Sequence, residues 1–521
     1  MGICLGDSQP VEITIAVIFV LGLFTGCASV PSDYPKTESF AYTDTGDTNL
    51  GKQIRKNFGS ELEQTGVFPL NSGMQAFVAR MAVIAAAERS LDVQYYIWHA
   101  DTSGKLLAYQ LMKAAERGVR VRLLLDDLDT QGKDAGLLQL DTHPNIEVRL
   151  YNAFGYRGSR GLGFVSDLRR LNYRMHNKSM TADNLVTIVG GRNVGNEYFD
   201  AAEDTAFSDL DVIALGPLAA DVSRMFDLYW NSKMVVPVVA FTGAHDLTGE
   251  ALRDARERFE ASIDEELASP YIRAVRESEI LDELRISRMQ LRWGSAKLIY
   301  DHPNKMDHEV INEATHMAPQ LAPLFANAQE ELHVVSPYFV PGDKLVAYFA
   351  DLEARGTRVR VLTNSLAAND VAMVHAGYMR YRKDLLRAGV DLYEFKPDPE
   401  TLDSSGNSMT SSSASLHTKY LNADGKLVFV GSFNLDPRSI ALNTEMGVLF
   451  ENSELDQRMA GAFNKAVVTR AYEVQLDDAG DLVWLERKVD ETLSYSKEPQ
   501  TTFWQRFVAR FFSWVVPESM L

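Results

Sequence analysis

The chain has 521 residues, long for one hydrophobic core and enough for two large α/β units. Its apolar fraction of 46% and charged fraction of 24% are ordinary for a globular protein, so the sequence can fold around its own core. A net charge of −19 argues against a surface built to neutralise many nucleic-acid phosphates and leaves room only for a local basic cleft.

The segment from Ile13 to Thr25 is almost wholly apolar and runs into Phe24-Thr25-Gly26-Cys27. It is too short to span a bilayer and suits the apolar region of a secretory signal, so residues 1–26 are expected to be removed. The ending is similar to the lipobox of bacterial lipoproteins, in which Cys27 would be lipidated and become the mature N-terminus. It departs from that pattern in having Phe24 where a branched aliphatic is usual, and no Lys or Arg before the apolar run. The competing reading is a simple buried or anchoring hydrophobic segment. On the lipoprotein reading Cys4 leaves with the signal, no disulfide is possible, and the protein is a membrane-anchored lipoprotein of the bacterial cell envelope facing the periplasm.

Further along, Leu91 to Trp98 predicts a strand from its β-branched and aromatic content, Gly104 to Arg117 an amphipathic helix, and Val119 to Leu125 a second strand. Gly155, Gly158, Gly161 and Gly163 lie among Tyr and Arg and predict a mobile loop. Asn184 to Val189 is a short strand running into Gly190, and Thr248 to Arg288, rich in Glu, Arg, Asp and Ala, reads as solvated helix connecting two units. The order then repeats: strand from Leu332 to Phe339, helix from Lys344 to Arg355, strand from Thr357 to Thr363, and strand from Lys426 to Val430. Arg117-Gly118 and Arg355-Gly356 punctuate the two helix ends alike. Between them and the last strand, Ser404 to Ser415 has the composition of a flexible loop, either a lid or a slack tether. The tail from Phe503 to Val516 sets aromatics four apart with Arg506 and Arg510 among them, which suits either a membrane interface or docking on the protein's own core.

Strand–helix–strand order favours parallel pairing with a crossover helix. The fold class expected is therefore α/β: two pseudo-twofold-related α/β/α halves with mixed, largely parallel sheets. The halves are placed at 45–245 and 301–485, with a helical connector at 246–300 and the aromatic tail at 486–521.

The repeat carries chemistry. His176-x-Lys178-x-x-x-x-Asp183 is followed by Gly190 and Asn193, and His417-x-Lys419-x-x-x-x-Asp424 by Gly431 and Asn434. Each matched pair has the same offset, since 417 − 176, 419 − 178, 424 − 183, 431 − 190 and 434 − 193 all equal 241. One such pattern arises easily by accident, whereas two in register with matching tails do not. In an extended segment His176 and Lys178 share a face, so both can point at one phosphate. Two histidines brought together from two halves can act as nucleophile and acid on one phosphodiester. Asp183 and Asp424 fall at the following turn, where a catalytic part and a plain turn-forming part compete.

These residues resemble the phospholipase D superfamily, over roughly Leu91 to Phe450. The stretches from Leu125 to Thr130, His176 to Ser179, Gly190 to Gly195 and Val374 to Tyr378 look like its bacterial class C cardiolipin synthase branch. The resemblance implies a phosphohistidine mechanism with no metal and no other cofactor. His176 would be the nucleophile, His417 the acid and base, and Lys178 and Lys419 the fixed positive charge. Asn193, Asn434 and Ser432 would bind the phosphate oxygens, and Glu445 and Asp209 would orient the histidines. Gly191 stands where many members place a serine equivalent to Ser432, so the first-half phosphate contacts are expected to lack one hydroxyl. The implied activity is phosphatidyl transfer onto phosphatidylglycerol to make cardiolipin, with phosphatidylethanolamine a possible second substrate, at a membrane surface and without nucleic acid. The alternatives are hydrolysis of the same intermediate by water, as a phospholipase or phosphodiesterase, and a catalytically silent scaffold, which two intact motifs disfavour.

Other residues are weaker candidates. His375, Tyr378 and Arg382 share one helix face, where contact with a lipid headgroup competes with packing. His99, His302, His308 and His316 have no ligand spacing, and no metal site is expected from them.

Overall fold

The structure is a computed structural model that describes residues 30, 31, 33–158, 160–202, 206–244, 249–306, 313–369, 371–397, 414–488 and 490–515. The expected signal segment with Cys4 and Cys27, residues 404–413 of the serine-rich stretch, and His308 lie outside the described residues.

The first half carries β1 (Thr65–Leu70), β2 (Ser90–Tyr95), β3 (Arg120–Asp126), β4 (Ile146–Tyr151), β5 (Ser179–Ala182), β6 (Val186–Gly190), β7 (Ala206–Ser208), β8 (Asp211–Leu215) and β9 (Val235–Pro237). The second carries β10 (Arg292–Tyr300), β11 (Glu331–Val335), β12 (Arg358–Asn364), β13 (Asp391–Phe395), β14 (Ala414–Leu416), β15 (Tyr420–Ala423), β16 (Leu427–Gly431), β17 (Met446–Glu451), β18 (Ala471–Leu476), β19 (Leu482–Arg487) and β20 (Thr492–Tyr495). In space the first runs β4-β3-β2-β5-β6-β8 and the second β13-β12-β11-β15-β16-β17, the same order with the same strand directions. β1 pairs with β8 of its own half and with β10, which in turn pairs with β17, so one continuous sheet crosses the pseudo-twofold axis.

The sheets are mixed, as expected, but the parallel share is smaller than the strand–helix–strand order implied. Within each half it is confined to β2-β3-β4 and β11-β12-β13, the strands joined by crossover helices. The reason is local. The strand after each motif returns at once through a tight turn, and a tight turn can only make an antiparallel pair. Asp183 and Asn184 have φ of 51° and 57°, and Asp424 and Gly425 of 54° and 66°, which is what a type I′ hairpin turn requires of its two central residues.

Those turns also settle what the two motif aspartates touch. Asp183 is fully buried and accepts the backbone N–H groups of Glu88, Arg89 and Ser90 at 3.0, 2.8 and 2.9 Å, pinning the hairpin to the start of β2. Asp424 does the same for Gln329, Glu330 and Glu331 at 2.9, 2.9 and 3.2 Å, before β11. The expected catalytic assignment of Asp183 and Asp424 is corrected by this geometry: each lies at the far end of its strand from the histidine, with its oxygens committed to backbone.

The crossover helices obey ordinary end rules. Thr102–Glu116 starts at Asp101, whose carboxylate caps Gly104 N–H at 3.0 Å, and gives way at Gly118, with φ of 94°. Gly342–Ala354 ends alike at Gly356, with the same φ. Each half has its own apolar core, and a third cluster bridges them, joining Leu124, Val189 and Val212 to Val335, Val430 and Val448. The connector is less solvated than its charge implied, because Ile272, Val275 and Leu284 are buried against the first-half core.

The tail forms a helix, Phe503–Val515, that docks on the protein by one face and leaves its aromatics exposed on the other. Ala509 is fully buried and Arg380 donates to Ser513 O at 2.7 Å, while Phe503, Trp504 and Trp514 are 66%, 68% and 89% exposed. No helix among the described residues is long and apolar enough to cross a membrane.

Asp183→Ala strands three backbone N–H groups that now bond to a charged acceptor, and is expected to lower folding stability by about 3 kcal/mol. Asp183→Asn keeps an acceptor oxygen and is expected to lose less, as read from urea denaturation of both variants.

Candidate active site

Each motif leaves its own half before it acts. The N–H of His176 donates to Thr444 O at 2.8 Å, and that of His417 to Ser208 O at 2.8 Å, so each histidine backbone is stitched to the opposite half. β7 pairs with β14 in parallel and secures the second crossing.

The rings follow the backbone. Nδ1 of His176 lies 2.8 Å from Glu445 Oε2, and Nδ1 of His417 lies 2.6 Å from Asp209 Oδ2. Each carboxylate accepts only, so each imidazole carries its proton on Nδ1 and presents Nε2 for chemistry. Both predicted orienting acids are therefore in place, but each serves the histidine of the other half. The sequence hid this partly because Glu445 − Asp209 is 236 and not 241, the first half holding five extra residues between Asn193 and its acid. The rings are 7% and 6% exposed, with Tyr96 against His176 at 4.9 Å and Tyr198 and Phe207 against His417 at 5.3 and 5.2 Å between ring centres. None of these aromatics carried a signal in the motif.

Lys178 and Lys419 are buried beside the rings, and the ammonium of each donates to its own histidine's carbonyl, His176 O at 2.6 Å for Lys178 and His417 O for Lys419. Burial is the main reason that Lys178 falls to about 7; Glu445 opposes the fall and Lys419 adds to it. Burial likewise holds His176 to about 4 against the pull of Glu445, and His417 to about 4, with Lys419 reinforcing and Asp209 opposing. The charge of each lysine is felt by both histidines, so the two motifs form one electrostatic site. Burial alone would raise Glu445, yet the charges of His176 and Lys178 hold it below the usual carboxylate range.

The expected phosphate contacts fare unevenly. Asn434 is 3% exposed, and its Oδ1, an acceptor that gives a phosphate anion nothing, has no hydrogen-bond partner among the described residues, so only its Nδ2 could serve as the donor; the amide of Asn193 donates to Tyr198 Oη at 2.9 Å. Ser432 is committed to the acid: it is fully buried and its hydroxyl donates to Glu445 Oε2 at 2.5 Å. Ser439, which no motif marked, donates to the other oxygen of Glu445 at 2.8 Å. Gly191 has a steric cause. A Cβ there would lie 2.3 Å from Asp209 Oδ1, so the shorter acid of the first half occupies the space that Ser432 fills in the second. Arg192 does not replace the missing hydroxyl; its guanidinium holds Leu70 O and Tyr198 O at 3.0 and 3.1 Å.

The weaker candidates resolve into structure. His375, Tyr378 and Arg382 are buried with Glu394 and Glu498, Arg382 bonding Glu498 at 2.8 Å and Tyr378 bonding Glu394 at 3.1 Å, so packing wins over headgroup contact. The glycine-rich loop is tied down by Arg157 and Arg160, which pair with Asp127.

Gly191→Ser would make the halves more alike, yet it is expected to displace Asp209 and with it His417. The expected outcome is a loss of activity of at least tenfold and a stability loss of about 1–3 kcal/mol, read by turnover and urea denaturation together.

Comparison with known proteins places this site in context. The family described as "Cardiolipin synthase, PLD-like domain" matches residues 81–230 and 321–467, one block per half. Cardiolipin synthase C of Escherichia coli is 44% identical over 462 residues, covering 88% of this chain and 96% of its own. An uncharacterized protein of Helicobacter pylori is 30% identical, covering 97% of this chain and 99% of its own. Among solved structures, phosphatidylserine synthase of Haemophilus influenzae superposes with a TM-score of 0.56 at 15% identity, over 90% of this chain and all of that one, a likeness of fold. With one matched block in each half and each histidine held by the opposite half, the chain belongs to the cardiolipin synthase family of phospholipase-D-like phosphatidyltransferases.

Proposed function

We propose that the protein makes cardiolipin by transferring a phosphatidyl group onto the glycerol hydroxyl of phosphatidylglycerol, with a second phospholipid as donor. The observation that carries this is the pair of imidazoles, each oriented by a carboxylate from the opposite half, beside two buried lysines. Nε2 of His176 attacks phosphorus, and the bond to the leaving alkoxide breaks as His417 gives that oxygen a proton. The acceptor hydroxyl then returns a proton to His417 as its oxygen takes phosphorus from His176. Lys178, Lys419 and Asn434 face the phosphate oxygens, each lysine contributing about 4 kcal/mol at 4 Å and an effective dielectric near 20. No step in this sequence needs a metal. Transfer is favoured over hydrolysis by the likeness to a cardiolipin synthase across nearly the whole chain.

The reaction is placed at a bacterial membrane, with residues 1–26 removed and Cys27 lipidated at the periplasmic face. The exposed aromatics of the Phe503–Val515 helix fit a membrane interface, the rings toward acyl chains and Arg510 toward headgroups.

Incubation with labelled phosphatidylglycerol, with and without phosphatidylethanolamine, is expected to yield labelled cardiolipin; phosphatidic acid alone would mean hydrolysis. His176→Ala and His417→Ala are each expected to remove at least 99% of turnover without unfolding, and a chelator to leave the native rate unchanged. In protein with Cys27→Ser, which takes no lipid, Trp504→Ser with Trp514→Ser is expected to weaken vesicle co-sedimentation at least tenfold, about 1.4 kcal/mol, with turnover of a soluble phosphodiester preserved.

A further inference from the structure

A cavity of about 410 Å³ opens in the first half, lined in part by Tyr96, whose ring also stands against His176. Its walls are Trp98, Leu125, Leu137, Leu140 and Phe259, contributed by the end of β3, the flanking helices and the connector helix Gly249–Leu267. The connector thus builds a surface of its own next to the chemistry. Lys105 is paired with Glu266 at 2.7 Å, Lys133 with Asp129 at 2.6 Å and His99 with Glu197 at 3.1 Å. With Lys105, Lys133 and His99 each paired with an acid, what the wall of Trp98, Leu125, Leu137, Leu140 and Phe259 offers a ligand is mainly apolar surface.

The second half shows what a filled version looks like. Trp98 there corresponds to Phe339: both follow the same strand, bridge Val194 and Leu435 respectively, and differ by 241 positions, as do Val194 and Leu435. Phe339 packs against Phe349 and Tyr378, at 6.5 and 5.9 Å between ring centres. Tyr378 comes from the helix Ala372–Met379 that follows β12. The helix that follows β3, Asp134–Asp141, places the smaller Leu140 where Tyr378 stands and presents the exposed Gly136 at the cavity's edge, where an added Cβ would meet nothing within 4 Å. Glycine inside a helix costs about 1 kcal/mol relative to alanine, and no close approach requires it here. A small residue that weakens its helix yet leaves the cavity's edge uncovered leaves the cavity accessible to a ligand.

We propose that this cavity holds one acyl chain of the phospholipid whose phosphorus faces His176. The inference rests on the lipid-transfer reading and adds to it: Tyr96 lines the chain-binding pocket and stands against the nucleophile, Gly136 leaves the pocket's edge uncovered, and the pocket reads chain length on one substrate only, because its counterpart in the other half is packed with aromatic rings.

Gly136→Leu fills the space without a clash and replaces a helix breaker, so the melting temperature is expected to hold or rise. The ratio of kcat/KM for dioleoyl phosphatidylglycerol to that for dihexanoyl phosphatidylglycerol is expected to fall at least tenfold, with Gly136→Ala in between. A phosphatidylglycerol carrying a photoreactive group near its acyl terminus is expected to label the helix Asp134–Asp141 or Phe259 in the native protein. An unchanged ratio in a folded Gly136→Leu protein, or labelling confined to other segments, overturns the acyl site while leaving the transfer reading intact. A native protein that turns over neither lipid overturns the transfer reading itself.

Discussion

His176 reaches a carboxylate 269 positions away and His417 one 208 positions away, and both bonds cross from one half of the molecule to the other. A single half would hold a histidine without its acid and an acid without its histidine, each at a buried position where an unpaired charge is costly. The continuous sheet through β1 and β10 and the apolar cluster shared by both halves are what fix those positions to hydrogen-bonding tolerance. Duplication here produces two incomplete units that become complete only when packed face to face.

The repeat was legible because a duplicated unit must keep its spacing to keep its geometry. The hairpin turns at Asp183 and Asp424 and the strands that flank them, β5 and β6 in one half and β15 and β16 in the other, recur at the offset that the motif announced, whereas the helix ends at Gly118 and Gly356 are 356 − 118 = 238 apart. The two acids were legible as residue types but not in their pairing, since nothing along a chain tells which half a side chain will face. The partner of Ser432 was hidden for a related reason: along the chain nothing shows that a hydroxyl two places before Asn434 will donate to Glu445. The share of parallel pairing was overestimated because strand–helix–strand segments dominate the pattern, whereas the hairpin strands are short. Tyr96, Ser439 and the cavity lay beyond sequence reading, because each depends on distant segments brought together by the fold.

Pseudo-symmetry alone would make the two histidines equivalent, and their shared depression to about 4 reflects that. The surroundings of their acids do not match. Glu445 accepts hydroxyl protons from Ser432 and Ser439 as well as the bond from His176. Asp209 accepts from His417 and from the N–H of Leu210 at 2.7 Å, with Gly191 pressed against it. Three donors share the charge of Glu445 and two share that of Asp209, yet both imidazoles are held at about 4, so burial outweighs this difference between the acids.

In the proposed reaction a nucleophile must be neutral when substrate arrives, and an acid must carry a proton to the leaving oxygen, so two like imidazoles have to part in charge once a phosphodiester lies between them. The arriving anion raises both rings by its charge and relieves the repulsion by which Lys419 helps to hold Lys178 near 7. Glycine at 191 and serines at 432 and 439 are where the duplicated halves differ beside the two acids, and a difference of role between the histidines has its physical ground there.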